Sequence, residues 1–170
     1  MDKIQTNLVV IGSGPAGYAA AFRAQDLGVE TLLIEKYAQL GGVCLNVGCI
    51  PSKALLSIAE RKHDAEHLAD SGAHFSLDEL NKDQVLAQKN KVVEQLSGGL
   101  SMLAKKRRVQ TLTGHAQFHD ANSLVVDTDQ GETIVEFKHA IIAVGSEPNS
   151  LPFLPDDPRI FDSTGALKLN

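Results

Sequence analysis

Cysteine is scarce in this chain, positive charge is not in excess, and long apolar runs are missing; each shortage closes off a class of function. Two cysteines in 170 residues do not make the framework of a small secreted domain. A net charge of -5 does not favour a nucleic-acid binder. The one basic run, Lys105-Lys106-Arg107-Arg108, reads as the solvated end of a helix, where cations suit the dipole. No apolar run approaches the ~20 residues of a membrane-crossing helix. No charged n-region, apolar h-region and cleavage site precede the first strand signal. The default expectation is a cytoplasmic protein, in which thiols stay reduced unless they do chemistry. What remains is an ordinary globular composition, 43% hydrophobic and 22% charged, long enough for a domain with a sizeable core. No internal repeat is apparent.

Residues 7–36, NLVVIGSGPAGYAAAFRAQDLGVETLLIEK, read as strand, glycine turn, helix, turn and strand. NLVVI is a continuous apolar run, as expected of a parallel strand buried on both faces. The helix runs from Pro15 to about Leu27, and Gly28 follows as a terminating glycine. Helical spacing recurs over residues 54–69 and again over about residues 83–107, with a loop over residues 71–81. Gly98-Gly99 is expected to interrupt or bend the second of these helices. Short strands follow: VQTLTG, AQFHD, SLVVDT, ETIVEF and HAIIAVG, with Asp120-Ala121-Asn122 and Asp129-Gln130-Gly131 as turns. After Gly145 four prolines mark a loop-like tail.

Gly12-Ser13-Gly14-Pro15-Ala16-Gly17 matches G-x-G-x-x-G. The pattern alone is weak; between an apolar strand and a helix it has the context of dinucleotide binding. The first glycine makes the tight turn, the second admits a pyrophosphate, and the third packs helix on strand. Amides at the helix start face the phosphates. Glu35 ends the second strand, at the spacing of the acid that binds a ribose hydroxyl. These residues do not separate FAD from NAD.

Both cysteines lie in GGVCLNVGCIPSKALL, residues 41–56. They could be a structural staple, half a metal site or a redox pair. Zinc is disfavoured, because structural zinc sites want a second ligand pair. His63 and His67 share a helix face, but lie roughly 20 Å along the helix from Cys49. Their simpler reading is a solvated face. A staple of Cys44 to Cys49 would close only a small loop and stabilise modestly. In a regular helix, residues five apart have Cα atoms roughly 8.6 Å apart, and a disulfide needs about 4.4 to 6.8 Å. A bridge therefore requires a distortion near Gly48. Pro51 suits an early helical position, which would set Cys49 at a helix start that favours a thiolate. Lys53, four residues on, would share its face.

Together these residues resemble the flavin disulfide oxidoreductases, the pyridine nucleotide-disulfide oxidoreductase class I family, and within it the dihydrolipoyl dehydrogenase branch. The likeness continues through GGL at 98–100, GHAQF at 114–118, AIIAVGSEP at 140–148 and DSTGAL at 162–167. Mercuric and glutathione reductases share the cysteine spacing, but CLNVGCIPSKALL is closer to the dihydrolipoyl branch. A non-catalytic remnant is the third reading.

The resemblance implies an α/β fold: a Rossmann-like FAD-binding domain with a parallel sheet plus a small antiparallel β-meander, in a truncated flavin disulfide oxidoreductase. Residues 1–150 would form the FAD-binding domain and 151–170 a linker towards an NAD-binding domain absent here. Gly12, Gly14 and Gly17 would take the FAD pyrophosphate, Glu35 the adenosine ribose and Lys53 the flavin ring region. Pro15, Ala16, Lys36, Gly41, Gly42, Val43, Cys44, Gly48 and Cys49 would also belong to the FAD-binding residues. Gly114, His115 and Ala116 would contact the adenine side, although the family often has glycine where this chain has Ala116. Val144, Gly145 and Ser146 would also lie on the flavin. Cys44 would be the interchange thiol and Cys49 the thiolate facing the flavin, with NAD+ as the final acceptor. The partners implied are a lipoylated acyltransferase of 2-oxoacid dehydrogenase complexes and a second copy in a homodimer, with no metal, no nucleic acid and no membrane span. The family's His–Glu acid–base pair matches none of the six histidines, so the expectation is that this chain alone does not turn over.

Overall fold

The computed structural model describes residues 2–76, 79–149 and 151–168. Residues 77–78 of the expected loop, and residues 150 and 169–170 of the expected domain end and linker, lie outside the described residues. The chain divides into two compact units: Met1–Cys44 with Ser97–Ser146, and Leu45–Leu96 with Glu147–Asn170.

The first unit is built on strands β1 (Asp2–Ile11), β2 (Thr31–Glu35), β3 (Gln110–Thr113), β4 (His115–Asp120), β5 (Ser123–Thr128) and β6 (Gly131–Ile142). They form a single sheet in the order β3-β2-β1-β6-β5-β4. The first four in that order are mutually parallel, and β5 and β4 add an antiparallel meander. The apolar runs predict this burial: Val9, Val10 and Leu33 expose no surface at all, as strands covered on both faces should. Val9, Leu32, Ile34, Leu124, Val126, Val135 and Phe137 make one continuous cluster. The expected parallel sheet with a meander is present.

One expectation about the strands is corrected. ETIVEF and HAIIAVG are not separate strands but parts of the 12-residue β6. Its register with β1 runs unbroken from Asp2–Thr133 to Ile11–Ile142. A ten-residue β1 offers partners from Thr133 to Ile142, and Lys138, the single residue between the two runs, is not a turn former. Lys3 and Gln5 on β1 reach Glu136 on β6 at 2.7 and 2.8 Å. The Lys3 hydrogen bond, followed by that of Gln5, holds the Glu136 carboxyl below the usual range.

Helix α1 (Pro15–Asp26) begins on its proline and buries Gly17 and Ala21. It ends as expected: Gly28, at φ +80°, donates to the Gln25 carbonyl at 2.9 Å, and Val29 donates to Ala24 at 3.0 Å. Those two bonds satisfy carbonyls left over by the last turn.

Helix α2 (Gly42–Val47) is a six-residue element that sequence spacing does not predict. In the second unit lie α3 (Cys49–His67), a 3-10 turn (Leu68–Ser71) and α5 (Ser163–Ala166). The Asp162 carboxylate accepts from the Gly165 amide at 2.8 Å and so caps α5. Lys89, 8% exposed, donates from Nζ to the Leu167 carbonyl at 2.8 Å.

Helix α4 (Lys82–Lys106) runs 25 residues without a break, so the expected interruption at Gly98-Gly99 does not occur. Intrahelical hydrogen bonding carries the chain through both glycines, at an intrinsic cost of about 1 kcal/mol each relative to alanine. Its basic end is solvated as expected, apart from Arg107, whose Nε lies 3.3 Å from Asp26 Oδ1 and whose guanidinium sits over Phe22 at 5.2 Å. Arg108 takes φ +59° to close the helix.

A Cβ added at Gly98 would meet nothing within 4 Å. Gly98→Ala is therefore expected to stabilise this chain by about 0.5–1 kcal/mol, read as a raised urea midpoint at unchanged slope. A lowered midpoint would show that this turn is held close to something else.

Candidate dinucleotide-binding and redox site

The site forms where the parallel strands end. Ala143 donates to the Ile11 carbonyl at 2.8 Å and Gly12 to the Ile34 carbonyl at 2.8 Å, so β1 is gripped on both sides up to its last residue. The chain then turns through Gly12 at φ +95°. A Cβ on Gly12 would lie 2.4 Å from the Ala143 oxygen, and one on Gly17 would lie 1.8 Å from the Gly12 oxygen. Two of the three glycines are thus demanded by the protein's own packing.

Gly14 is different. A Cβ there would meet no protein atom within 4 Å. Gly14 is the N-cap of α1, and no side chain caps that helix. Pro15 and Ala16 are exposed. The amides of the first helical turn therefore face open space at the positive end of the helix dipole. This is the arrangement that receives a phosphate.

Glu35 stands beside it. Its side chain ends β2 and is 7% exposed. Oε2 accepts from the Ser13 amide at 2.8 Å and from the Ser13 hydroxyl at 2.6 Å. Oε1 accepts from the Tyr37 amide at 3.1 Å. A carboxylate has about four acceptor positions, and donors among the described residues take three of them. Gly41 donates to the Ser13 carbonyl at 3.0 Å and to its hydroxyl at 3.1 Å. A Cβ on Gly42 would come within 2.7 Å of the Gly14 Cα.

The neighbouring candidates fall at the same edge of the sheet. Gly114 donates to the Glu35 carbonyl at 2.9 Å, and a Cβ there would lie 2.5 Å from the Asp127 oxygen. Next to it, His115 is exposed. The side chain of Ala116 packs against the central apolar cluster, which explains how alanine fits where a glycine is common. Val144 is 67% exposed and its Cα lies 3.0 Å from the position of a Gly12 Cβ. Gly145 has φ +77°, and Ser146 is exposed. Lys36 is exposed and lies over the Tyr37 ring at 4.9 Å. A concavity lined by Asp2, Ile4, Leu112 and Glu132 takes in none of these candidates.

The cysteine stretch follows from Gly41 and Gly42, both at positive φ. Val43 is 55% exposed. Cys44 lies in α2 and is half-buried; Cys49 is the first residue of α3 and is exposed. Both are thiols. Gly48 between them, at φ -143° and ψ -113°, departs from helical geometry. Its carbonyl accepts from the Ser52 amide at 3.1 Å and hydroxyl at 2.7 Å, which fixes the first turn of α3. Pro51 is buried in that turn, and Lys53 is exposed one turn beyond Cys49. Taken across its break, Gly42–Ser71 is long and apolar enough by length and composition to cross a membrane. That departs from the expectation based on uninterrupted apolar runs, since Lys53 is the one charged residue of its first half, residues 42–56. His63 and His67 make an edge contact at 4.3 Å between centroids, beside the Lys62–Glu66 pair. Among the described residues no group of three or more His, Cys, Asp or Glu is placed to hold a metal ion.

The sequence reading missed Ser13, an unremarked position inside the glycine motif that ties Glu35 to Gly41. No local pattern marks it, since its partners lie 22 and 28 positions away.

The likeness to known proteins agrees with this geometry. Residues 6–170 match the model of the pyridine nucleotide-disulphide oxidoreductase family, and the chain belongs to that family. It is 54% identical over 169 residues to the dihydrolipoyl dehydrogenase of Haemophilus influenzae, which covers 98% of this chain and 35% of that protein. It is 51% identical over 168 residues to that of Vibrio cholerae, with the same shares. Among solved structures it resembles the HOCl-induced flavoprotein disulfide reductase RclA from Escherichia coli in its Cu(II) complex. There the TM-score is 0.77 at 29% identity, over 98% of this chain and 34% of that one. The chain thus spans about 35% of the length of the curated relatives it matches. These likenesses support a flavin-binding redox domain.

The two kinds of glycine separate in a stability measurement. Gly17→Ala is expected to cost about 1–3 kcal/mol or more through overpacking against the Gly12 carbonyl. Gly14→Ala is expected to stay within about 0.5 kcal/mol of wild type. Chemical denaturation of both variants checks this, and equal losses would refute the assignment of Gly14 to a ligand.

Proposed function

We propose that this chain is the FAD-binding, redox-disulfide part of a dihydrolipoyl dehydrogenase, with residues 1–150 as the binding domain and 151–170 leading onward. The observation that carries the reading is Gly14: a glycine that nothing in the protein requires, at an uncapped helix start beside a carboxylate with an acceptor position to spare. Those residues fit a dinucleotide. Gly12, Gly14, Pro15, Ala16 and Gly17 would take the pyrophosphate, and Glu35, with Lys36 alongside, the adenosine ribose. Gly114, His115 and Ala116 would face the adenine. Gly41, Gly42, Val43, Gly48, Lys53, Val144, Gly145 and Ser146 would line the flavin. FAD, when bound, would supply a two-electron relay between the cysteine pair and NAD+.

The chain's own chemistry is thiol–disulfide exchange. A thiolate of dihydrolipoamide attacks Cys44 Sγ of the oxidised pair, forming a mixed disulfide and releasing Cys49 as thiolate. The second lipoyl thiolate then attacks the lipoyl sulfur of that mixed disulfide. The lipoamide ring closes and Cys44 leaves as thiolate. Lipoamide is oxidised by two electrons, the pair is reduced by two, and the two thiol protons pass to a base. Cys49 at the first position of a 19-residue helix sits at the end that favours negative charge. Lys53 adds a positive charge one turn on. The lipoyl group would be carried by an acyltransferase of a 2-oxoacid dehydrogenase complex. The acid–base residue and the nicotinamide site would come from the rest of the longer protein, working as a homodimer in the cytoplasm.

The test is the visible spectrum of the purified chain titrated with FAD, before and after a dithiol. The expected result is bound flavin with a long-wavelength shoulder on reduction. Cys44→Ser should show that shoulder without dithiol, because Cys49 has no partner, and Cys49→Ser should never show it. Absence of flavin binding would remove the reading for this chain. Lipoamide-dependent NADH formation is not expected from the 170 residues alone, and its detection would overturn that part.

A further inference from the structure

Ser13 is fully buried at the meeting point of three pieces of chain. Its amide and hydroxyl both donate to Glu35 Oε2, at 2.8 and 2.6 Å. Its carbonyl and hydroxyl both accept from the Gly41 amide, at 3.0 and 3.1 Å. The hydroxyl therefore donates to the acid at the end of β2 and accepts from the segment that leads into the cysteines. The packing is tight on that side, since Gly42 approaches Gly14 so closely that a Cβ would stand 2.7 Å from its Cα. Glu35 Oε2 is filled by two donors from one residue, while among the described residues Oε1 accepts from the Tyr37 amide.

We propose that the Ser13 hydroxyl is a positioning group that couples ribose recognition to the placement of the cysteine segment. By filling Oε2 it turns the Glu35 carboxylate so that its remaining acceptor position is on Oε1. By accepting from Gly41 it fixes where the chain leaves β2 for α2, and hence the approach of Cys44. A single oxygen atom thus belongs to both halves of the site. The ligand half of this inference rests on the dinucleotide reading above; the Gly41 half does not.

The experiment uses the 170-residue chain with Ser13→Ala, Glu35→Gln and both together. Removing one oxygen leaves the apolar packing of β1 and β2 in place. FAD affinity is measured by flavin fluorescence. Gly41 amide exchange is followed by NMR, and Cys44 alkylation is timed in a Cys49→Ser background, both without FAD. Ser13→Ala is expected to weaken FAD about tenfold, the equivalent of about 1.4 kcal/mol. Its effect should be non-additive with Glu35→Gln, because the hydroxyl acts through that carboxylate. Without FAD, Gly41 exchange and Cys44 alkylation should each rise about threefold, as for the loss of a modest hydrogen bond. Additive effects on affinity, or FAD binding within about twofold of wild type, would overturn the coupling through Glu35. Unchanged exchange and alkylation would overturn the coupling to the cysteine segment. If the wild-type chain bound no FAD, the functional reading would fail, while the ligand-free rates would still decide the role of Ser13 at Gly41.

Discussion

The first unit depends on the absence of a side chain at one point, where α1 crosses β1. Any Cβ on Gly17 would sit 1.8 Å from the Gly12 carbonyl oxygen, far inside van der Waals contact. With hydrogen there, the helix lies directly on the strand end, and its axis is set by backbone against backbone. That setting aims the first turn of α1 at the edge where β1, β2 and β6 finish. The uncapped amides, the Glu35 carboxylate and Val144 converge at that edge. A helix held off by even one methyl group would shift its first turn, and the Ser13 hydrogen bonds to Glu35 leave little room for that. Bonds of 2.6 and 2.8 Å to one carboxylate oxygen tolerate only small displacements. Ligand geometry is here inherited from packing geometry.

Much of that architecture was legible because it is written in local signals. Continuous apolar runs announce strands buried on both faces, and Leu8 to Val10 and Leu32 to Ile34 are buried accordingly. Gly28 stops α1 where a terminating glycine should. The motif glycines and Glu35 could be assigned because spacing on one β-α-β unit fixes their relative position. The failures have different causes. Nothing in ETIVEFKHAIIAVG says that its two apolar runs belong to one strand; its partner β1 does, by pairing from Thr133 to Ile142. Gly98-Gly99 does not break α4, because the helix on either side supplies enough intrahelical bonding to absorb their low propensity. Helix α2 has six residues, too few for periodicity to register. Ser13 was invisible for another reason. A serine between two glycines carries no pattern, and its importance lies in partners 22 and 28 positions away.

The same logic explains why a six-residue helix precedes a longer one in the cysteine stretch. An unbroken helix through residues 42–67 would hold the two cysteine Cα atoms roughly 8.6 Å apart, beyond the reach of a bridge at about 4.4–6.8 Å. Gly48 ends one helix and starts another, with its carbonyl taken by Ser52. The break makes Cys49 the opening residue of a new helix rather than the eighth of an old one. A bridge between such positions closes a short loop, so it adds little to stability. A bond that contributes little to folding can be opened and closed without taking the fold with it. Each opening would release charge at a helix start, where the backbone favours it. On the proposed function, a pair that closes so short a loop suits exchange better than a staple, and Gly48 sets Cys49 at the helix start that favours its negative charge.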